Sequence, residues 1–211
     1  MRASAFSTRQ EMGLEILLSN LVNRIRAHRP AVLELGDNKQ AAVALMLRHS
    51  PENIEVLVIE RARHDNDPWS GQMALPGGRV ETFDADARSA AERESLEEVG
   101  VDLSKAEYLG RLDDQQGRHR GHPGGIVVTG CVYIVDSATE PRPNYEVRDI
   151  VWVSLHRFLD AGNYTQVDHP VYPGEMFPGI RISDKNHQVV WGLTRRFMAS
   201  FFSTIHVPFE G

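Results

Sequence analysis

Gly77-Gly-Arg-Val-Glu-Thr-Phe-Asp-Ala-Asp-Ala-Arg-Ser-Ala-Ala-Glu-Arg-Glu-Ser-Leu-Glu-Glu-Val-Gly100 is the stretch on which the fold of this chain turns. It follows Leu75-Pro76, so the chain must bend at Gly77-Gly78. Gly100 suits the position just past a helix end, where glycine takes a left-handed conformation without strain. Between these two points the pattern predicts a helix from about Ala85 to Val99. Glu94, Glu97 and Glu98 stand at i, i+3 and i+4, within roughly 100° of arc on one face. Like charges so spaced cost an isolated helix roughly 0.2–0.5 kcal/mol per pair. A solvated helix does better with lysines between them. A row of hard oxygen donors on a rigid face is instead what Mg2+ or Mn2+ takes as ligands, and the cation would neutralise the repulsion. A Glu pair alone reads equally well as solvated surface; the spacing of its neighbours shifts the weight.

The same residues resemble the Nudix box, G-x5-E-x7-R-E-U-x-E-E-x-G-U, where U is a bulky apolar residue. Arg93, Glu94, Glu97, Glu98, Gly100 and Val101 fall in register, with Ser95 at the first U position. The head departs. Five residues lead from Gly78 to Asp84, which stands where the family has Glu, and eight, not seven, separate Asp84 from Arg93. An Asp with one extra residue is similar to the coenzyme A pyrophosphatase-like branch. Gly71-Gln-Met-Ala-Leu-Pro-Gly-Gly78 resembles that branch's G-x3-F-P-G-G, with Leu75 for Phe, and Trp191-Gly-Leu-Thr194 resembles the start of its closing helix. The branch's upstream pattern, L-L-T-x-T-[SA]-x3-R, meets Val58, Ile59, Glu60, Ala62, Arg63 and Asp67 here. Only the first two are conservative, and Asp67 reverses a charge. The resemblance extends more weakly over most of residues 40–200.

The resemblance implies an α/β fold, a Nudix-type α/β/α sandwich with a mixed β-sheet between helices. It implies metal-assisted hydrolysis of a diphosphate linked to another group, with Mg2+ or Mn2+ as cofactor. Glu94 and Glu98 are then the principal metal ligands, Glu97 a further ligand or the general base, and the Gly78 carbonyl a completing ligand. Arg93 is expected to orient a Glu carboxylate through a bidentate pair that Lys cannot reproduce. Glu146 is a candidate base from outside the box, with Glu81 and Asp84 as alternatives. Arg61 and Arg63 are candidates for binding substrate phosphates. Coenzyme A or a derivative is the suggested substrate; nucleoside diphosphate sugars, dinucleotide polyphosphates and nucleoside triphosphates stay open. A nucleotide-sensing module without hydrolysis and a purely structural protein are the rival readings.

The 211 residues suit a single domain, with residues 1–30 as an N-terminal helical extension and 189–205 as a closing helix. A hydrophobic content of 41% allows a substantial core. The net charge of −6 and pI near 5.8 argue against stable nucleic-acid binding, though a local basic pocket and a metal can hold a nucleotide. Cys131 is the one cysteine, so no intrachain disulfide forms, and its strand-like surroundings mark it as a small buried hydrophobe. No stretch approaches the roughly 20 apolar residues of a membrane span. Residues 1–7 lack an apolar secretion core, so a cytoplasmic location without membrane contact is expected.

Taken in order, residues 1–8 read as frayed. Leu14, Leu17, Leu18, Leu21, Val22 and Ile25 recur at helical spacing within Gln10–His28, with Arg24, Arg26 and His28 at the negative end of the dipole. Ala41–Arg48 and Ile54–Arg61 read as an antiparallel pair about the turn residues Ser50-Pro-Glu-Asn53. Trp69, after the polar loop, suits either stacking on a base or packing beneath the loop. Glu107–Leu112, Ile126–Val135 and Ile150–Val153 read as strands, and His156–Leu159 as a short helix. The loop of residues 113–125 carries two Arg, two His and three Gly within 118–125, suited to an anionic ligand or to solvent. His119 and His122 make no convincing zinc site. Residues 160–188 read as irregular, with five Gly or Pro between 170 and 179. Trp191, Phe197, Met198, Phe201 and Phe202 form a stripe on the closing helix, suited to the core or to a homodimer surface.

Overall fold

Strand β1 (Lys39–His49) is the axis of the molecule and is covered on both faces. The computed structural model describes residues 18–36, 38–50, 53–63, 69–117, 125–168 and 174–211. Alternation along β1 sends Ala42, Ala44 and Met46 to one side, and Ala41, Leu45 and Leu47 to the other. Hydrophobic residues on both faces are what a strand between two layers requires.

β2 (Ile54–Arg61) returns antiparallel to β1, as the turn chemistry predicts. β3 (Met73–Ala74) pairs with β2, and β4 (Gly77–Arg79) with β1. β5 (Glu107–Arg111) and β6 (Gln115–Gly117) pair with β7 (Ile126–Ile134), which lies parallel to β1 from Lys39↔Ile126 to Leu47↔Ile134. β8 (Val147–Ser154) closes the other edge against β2. Eight strands of the described residues thus form one mixed sheet.

One face carries α2 (Ala87–Val99). Its Ala87, Ala90 and Ala91 meet Ala42 and Ala44, so small residues on both sides let the helix settle close to the sheet. The opposite face carries α1 (helical over residues 18–27) and α4 (Gly192–Thr204), through Leu21, Ile25, Phe197, Met198, Phe201 and Phe202. Helix layers on either side of a mixed sheet make the α/β/α sandwich expected from the sequence. The α4 stripe is core: Phe197, Met198, Phe201 and Phe202 are at most 1% exposed, which removes them as a dimer surface. Cys131 is buried as expected, and burial pushes its thiol up to about 12. No helix of the described residues is long and apolar enough to cross a membrane.

Several boundaries differ from the sequence-based expectation: β1 runs from Lys39 to His49 rather than Ala41 to Arg48, β8 starts at Val147 rather than Ile150, and β6 forms within the expected 113–125 loop. Helix α2 starts at Ala87, not Ala85, because Asp86 caps it: its side chain accepts from Ser89 N–H while its own N–H donates to Ser89 Oγ. Its end is as expected, with Gly100 at φ +68°. Residues 160–188 are not irregular. β9 (Tyr164–Asp168), β10 (Met176–Arg181) and β11 (Val189–Trp191) form a separate antiparallel sheet against the α4 layer. Pro178 is tolerated because β11 pairs with β10 only from Gly179 onward, so no ladder bond is lost on that side. The closing helix therefore begins at Gly192, not Val189. Short helix α3 (Leu155–Leu159) starts one residue earlier than expected. The expectations for residues 1–17, and for His119 and His122 in the 113–125 loop, lie outside the described residues.

Candidate functional site

Helix α2 holds the carboxylate row, and the packing of its apolar side decides how each carboxylate lies. Ser95 occupies a fully buried position where an apolar residue is expected; its hydroxyl donates to Ala91 O at 2.7 Å, so no polar group is stranded. With that side pinned to the sheet, Glu98 turns inward and is only 3% exposed. Glu94 is mostly buried, and the Glu97 side chain stays 55% exposed.

β4 brings backbone against these side chains. Gly77 donates its N–H to Glu98 Oε2 at 2.9 Å. A Cβ at Gly78 would fall 2.2 Å from Glu94 Oε1, so the carboxylate occupies the space that only glycine leaves. Burial pushes the Glu98 carboxyl up to about 7; the Gly77 N–H opposes this, Glu94 adds to it, and Arg61 pulls it down. Burial also raises Glu94, against the pull of Arg93, with Glu97 and Glu146 adding repulsion.

Arg93 organises the row. Its Nη1 donates to Glu94 Oε1 at 2.8 Å and to Glu97 Oε2 at 3.3 Å. The bidentate pair expected with a Glu is made with Asp84 instead: Nε to Oδ1 and Nη2 to Oδ2, both at 3.0 Å. Nη2 also reaches Arg79 O. Asp84 Oδ2 accepts from Glu81 N–H as well, which ties the 81–84 turn to the helix. The signal for this was in the sequence: a side chain one methylene shorter than Glu, with one extra residue before Arg93.

The loop before β8 docks on the other end of α2, through Arg142 N–H to Val99 O at 2.8 Å and Asn144 N–H to Glu98 O at 3.0 Å. It delivers Glu146, whose charge is felt by both Glu94 and Glu98. Arg61, at the end of β2, lies on the Glu98 side. Arg63 is exposed, with its side chain against Gly71. The Trp69 ring packs against Trp191, with ring centres 6.4 Å apart. The structure thus brings together Gly78, Arg93, Glu94, Glu97, Glu98, Arg61 and Glu146, and adds Asp84 as their anchor.

Oxygen donors dominate, and two of the carboxylates are pushed toward protonation by burial and mutual repulsion. This is the electrostatic situation a divalent cation relieves, and hard donors of this kind suit Mg2+ or Mn2+. Among the described residues no three His, Cys, Asp or Glu side chains are gathered to one point. A bound ion would therefore also draw on backbone, water or ligand oxygens, as Mg2+ commonly does.

Comparison with known proteins adds independent findings. The NUDIX domain family model matches residues 38–174. Over 185 residues the chain is 29% identical to an uncharacterised Nudix hydrolase, NudL, of Salmonella heidelberg, covering 87% of this chain and 92% of that protein. Over 62 residues it is 50% identical to an uncharacterised protein of Schizosaccharomyces pombe, a match that covers 28% of this chain and 19% of the length of the yeast protein. The solved structure of a MutT/nudix family protein from Enterococcus faecalis superposes with a TM-score of 0.53 at 16% identity, covering 86% of this chain and 66% of that one, and so shares the fold.

Proposed function

The chain belongs to the Nudix family of hydrolases, and from that premise we propose that it hydrolyses a diphosphate bond, dependent on a divalent metal, in a nucleoside diphosphate linked to another moiety. The observation that carries this reading is the pair Glu94 and Glu98, one turn apart beside the Gly77-Gly78 backbone, Glu98 buried and Glu94 mostly so. Burial and neighbouring carboxylates push both groups toward protonation, a cost that a cation between them would relieve.

In this reading Glu94 and Glu98 hold Mg2+ or Mn2+, with Glu97 and the Gly78 carbonyl as further ligands. The metal would screen the diphosphate's charge and acidify a bound water. Arg93 keeps Glu94 turned toward Gly78 and is itself held by Asp84. Arg61 and Arg63 take substrate phosphate oxygens. Glu146 is the leading general base, because both Asp84 oxygens are already occupied by Arg93, and Glu97 is the second candidate. Coenzyme A or a derivative is the first substrate to try. Nucleoside diphosphate sugars and dinucleotide polyphosphates are the alternatives, since Glu60, Ala62 and Asp67 depart from the coenzyme A branch. The proposed compartment is the cytoplasm.

The test is a panel of diphosphate compounds incubated with Mg2+ or Mn2+, with products read by mass. Metal-dependent cleavage of at least one compound is expected. Ligand-induced stabilisation with no cleavage of any would favour a nucleotide-sensing role instead.

A further inference from the structure

β8 carries one residue too many opposite the end of β2. Glu60 faces Asp149 and Arg61 faces Val147, so Arg148 stands between them as a β-bulge. The bulge reverses the alternation of the strand. Ile150 and Trp152 pack on the α2 side of the sheet, and Val151 and Val153 on the other. Unbroken alternation would send Arg148 to the α2 side and Val147 away from it. The opposite holds. Val147 is buried in the α2-side core, and Arg148 reaches Glu60, which follows Val58 on the far side of the sheet.

Glu60 is 2% exposed, an unusual place for a carboxylate, whereas the Arg148 and His187 side chains are each 51% exposed. Arg148 Nη1 donates to Glu60 Oε1 at 2.9 Å, and His187 Nε2 lies 3.4 Å from Oε2. Pairing roughly offsets the cost of burying a carboxylate, so this contact does more to choose where Arg148 lies than to stabilise the fold. That choice reaches the site, because the chain just before the bulge carries Glu146. Ala62 N–H donates to Glu146 O at 2.7 Å, and Glu146 N–H donates to Asn144 Oδ1 at 2.8 Å. If the bulge closed up, Glu146 would shift by one residue along β2, about 3.4 Å. Its charge, which both Glu94 and Glu98 feel, would move with it.

We infer that Glu60 is a positioning residue for Glu146: by holding Arg148 on the side away from α2, it keeps the bulge that sets Glu146 beside Glu94 and Glu98. The inference rests on Glu146 acting as base in the diphosphate reading above, so its test includes a readout that needs no turnover.

Glu60→Leu removes the anchor for Arg148, and Glu60→Gln keeps an acceptor for it. Amide hydrogen exchange followed by NMR reads the Ala62 N–H, whose acceptor is Glu146 O. In Glu60→Leu this amide should exchange about tenfold faster, through easier local opening, while the amides at the centre of β2 keep the parent rate. In Glu60→Gln it should stay near the parent rate. With Mg2+ and whichever diphosphate compound is cleaved, kcat of Glu60→Leu should fall about 10–100-fold, as expected when a reacting group is displaced. The same change made in Glu146→Gln should lower kcat by no more than about twofold further, because two changes that act through one group do not add. Lys105→Met, which breaks an exposed pair with Asp102, should alter neither readout. A loss that adds in full to that of Glu146→Gln would mean that Glu60 acts on the fold and not through Glu146, and would overturn the inference. Parent-like kcat or parent-like Ala62 exchange in Glu60→Leu would overturn it as well. Should Glu60→Leu fail to fold, Arg148→Gln, which cuts the same contact from its exposed side, carries both readouts. If no diphosphate is cleaved at all, the hydrolase reading falls, and Ala62 exchange alone decides whether Glu60 sets the place of Glu146.

Discussion

Arg93 meets Asp84 in parallel, Nε to Oδ1 and Nη2 to Oδ2, both at 3.0 Å, with the Asp84 side chain only 4% exposed. The fork fixes the guanidinium plane, and the remaining Nη1 is thereby aimed at Glu94. Lys, a single point donor, cannot hold Asp84 and Glu94 together in this way. Arg93→Lys should therefore lower turnover, about 10–100-fold if Arg93 acts as a support for a ligand. Steady-state kinetics across Mg2+ concentrations check this; an unchanged rate would remove the orienting role.

The same pair sets an acid limit on stability. The hydrogen bond from Arg93 holds the Asp84 carboxyl below its ordinary value, and the Glu81 N–H adds to this. A depressed folded-state pKa contributes stability above the unfolded value of about 3.9, and that stability is lost as pH falls through it toward the lower folded value. Asp84→Asn should cost about 1–3 kcal/mol near pH 7, and the cost should shrink below about pH 4. Urea midpoints of both proteins between pH 3 and 7 would show it; a difference that grows on acidification contradicts it.

Glu94→Gln and Glu98→Gln should each lower metal-dependent turnover by more than about 100-fold, beyond the usual loss of a supporting residue. Stability should move the other way. Glu98 is charged against burial and against Glu94, so removing its charge in metal-free protein near pH 8 relieves the molecule. The metal-free Glu98→Gln protein should unfold at the same temperature as the parent or higher. The parent alone should gain thermal stability on adding Mg2+.

Cys131 offers a check on the core. Its thiol is 1% exposed on β7 and raised to about 12 by burial. At pH 8 it should fail to react with a disulfide reagent until urea unfolds the chain. Rapid labelling of the native protein would mean that the β7 layer opens far more readily than its packing allows.

How much of this was legible depended on whether the deciding contact was local. β1, β2 and β7 were readable because strands between two layers must be apolar on both sides. The α2 end was readable from Gly100, and the carboxylate row from helical periodicity. Periodicity could not say that Glu98 would be buried and Glu97 left in solvent, since that depends on β4 approaching one side only. Asp84 was legible as an oddity of spacing; its pairing with Arg93, across a turn of the chain, was not. β9 and β10 were missed because Pro178 and Gly179 are locally turn residues. They are accommodated in a strand only because β11 stops short of Pro178, and because the Val167 and Val189 side chains fill the space beside Gly179.

Gly77 and Gly78 are neighbours with different obligations, and two alanine substitutions should separate them. At Gly77, with φ +152°, a Cβ would fall 2.2 Å from Ala42 O and 2.6 Å from Val43 Cα, both backbone atoms of β1. Nothing there can move without breaking the β1–β4 pairing, so Gly77→Ala should destabilise the fold by several kcal/mol, on the order of 3 or more. At Gly78 the obstruction is Glu94 Oε1 at 2.2 Å, the end of a side chain that can swing away. Gly78→Ala should therefore leave stability within about 1 kcal/mol while displacing Glu94 from beside the backbone. Turnover should fall nearly as far as in Glu94→Gln, and the Mg2+ concentration for half-maximal rate should rise. Equal loss of stability in the two variants, or a fully active Gly78→Ala enzyme, would show that the contact between Gly78 and Glu94 does not shape the metal site.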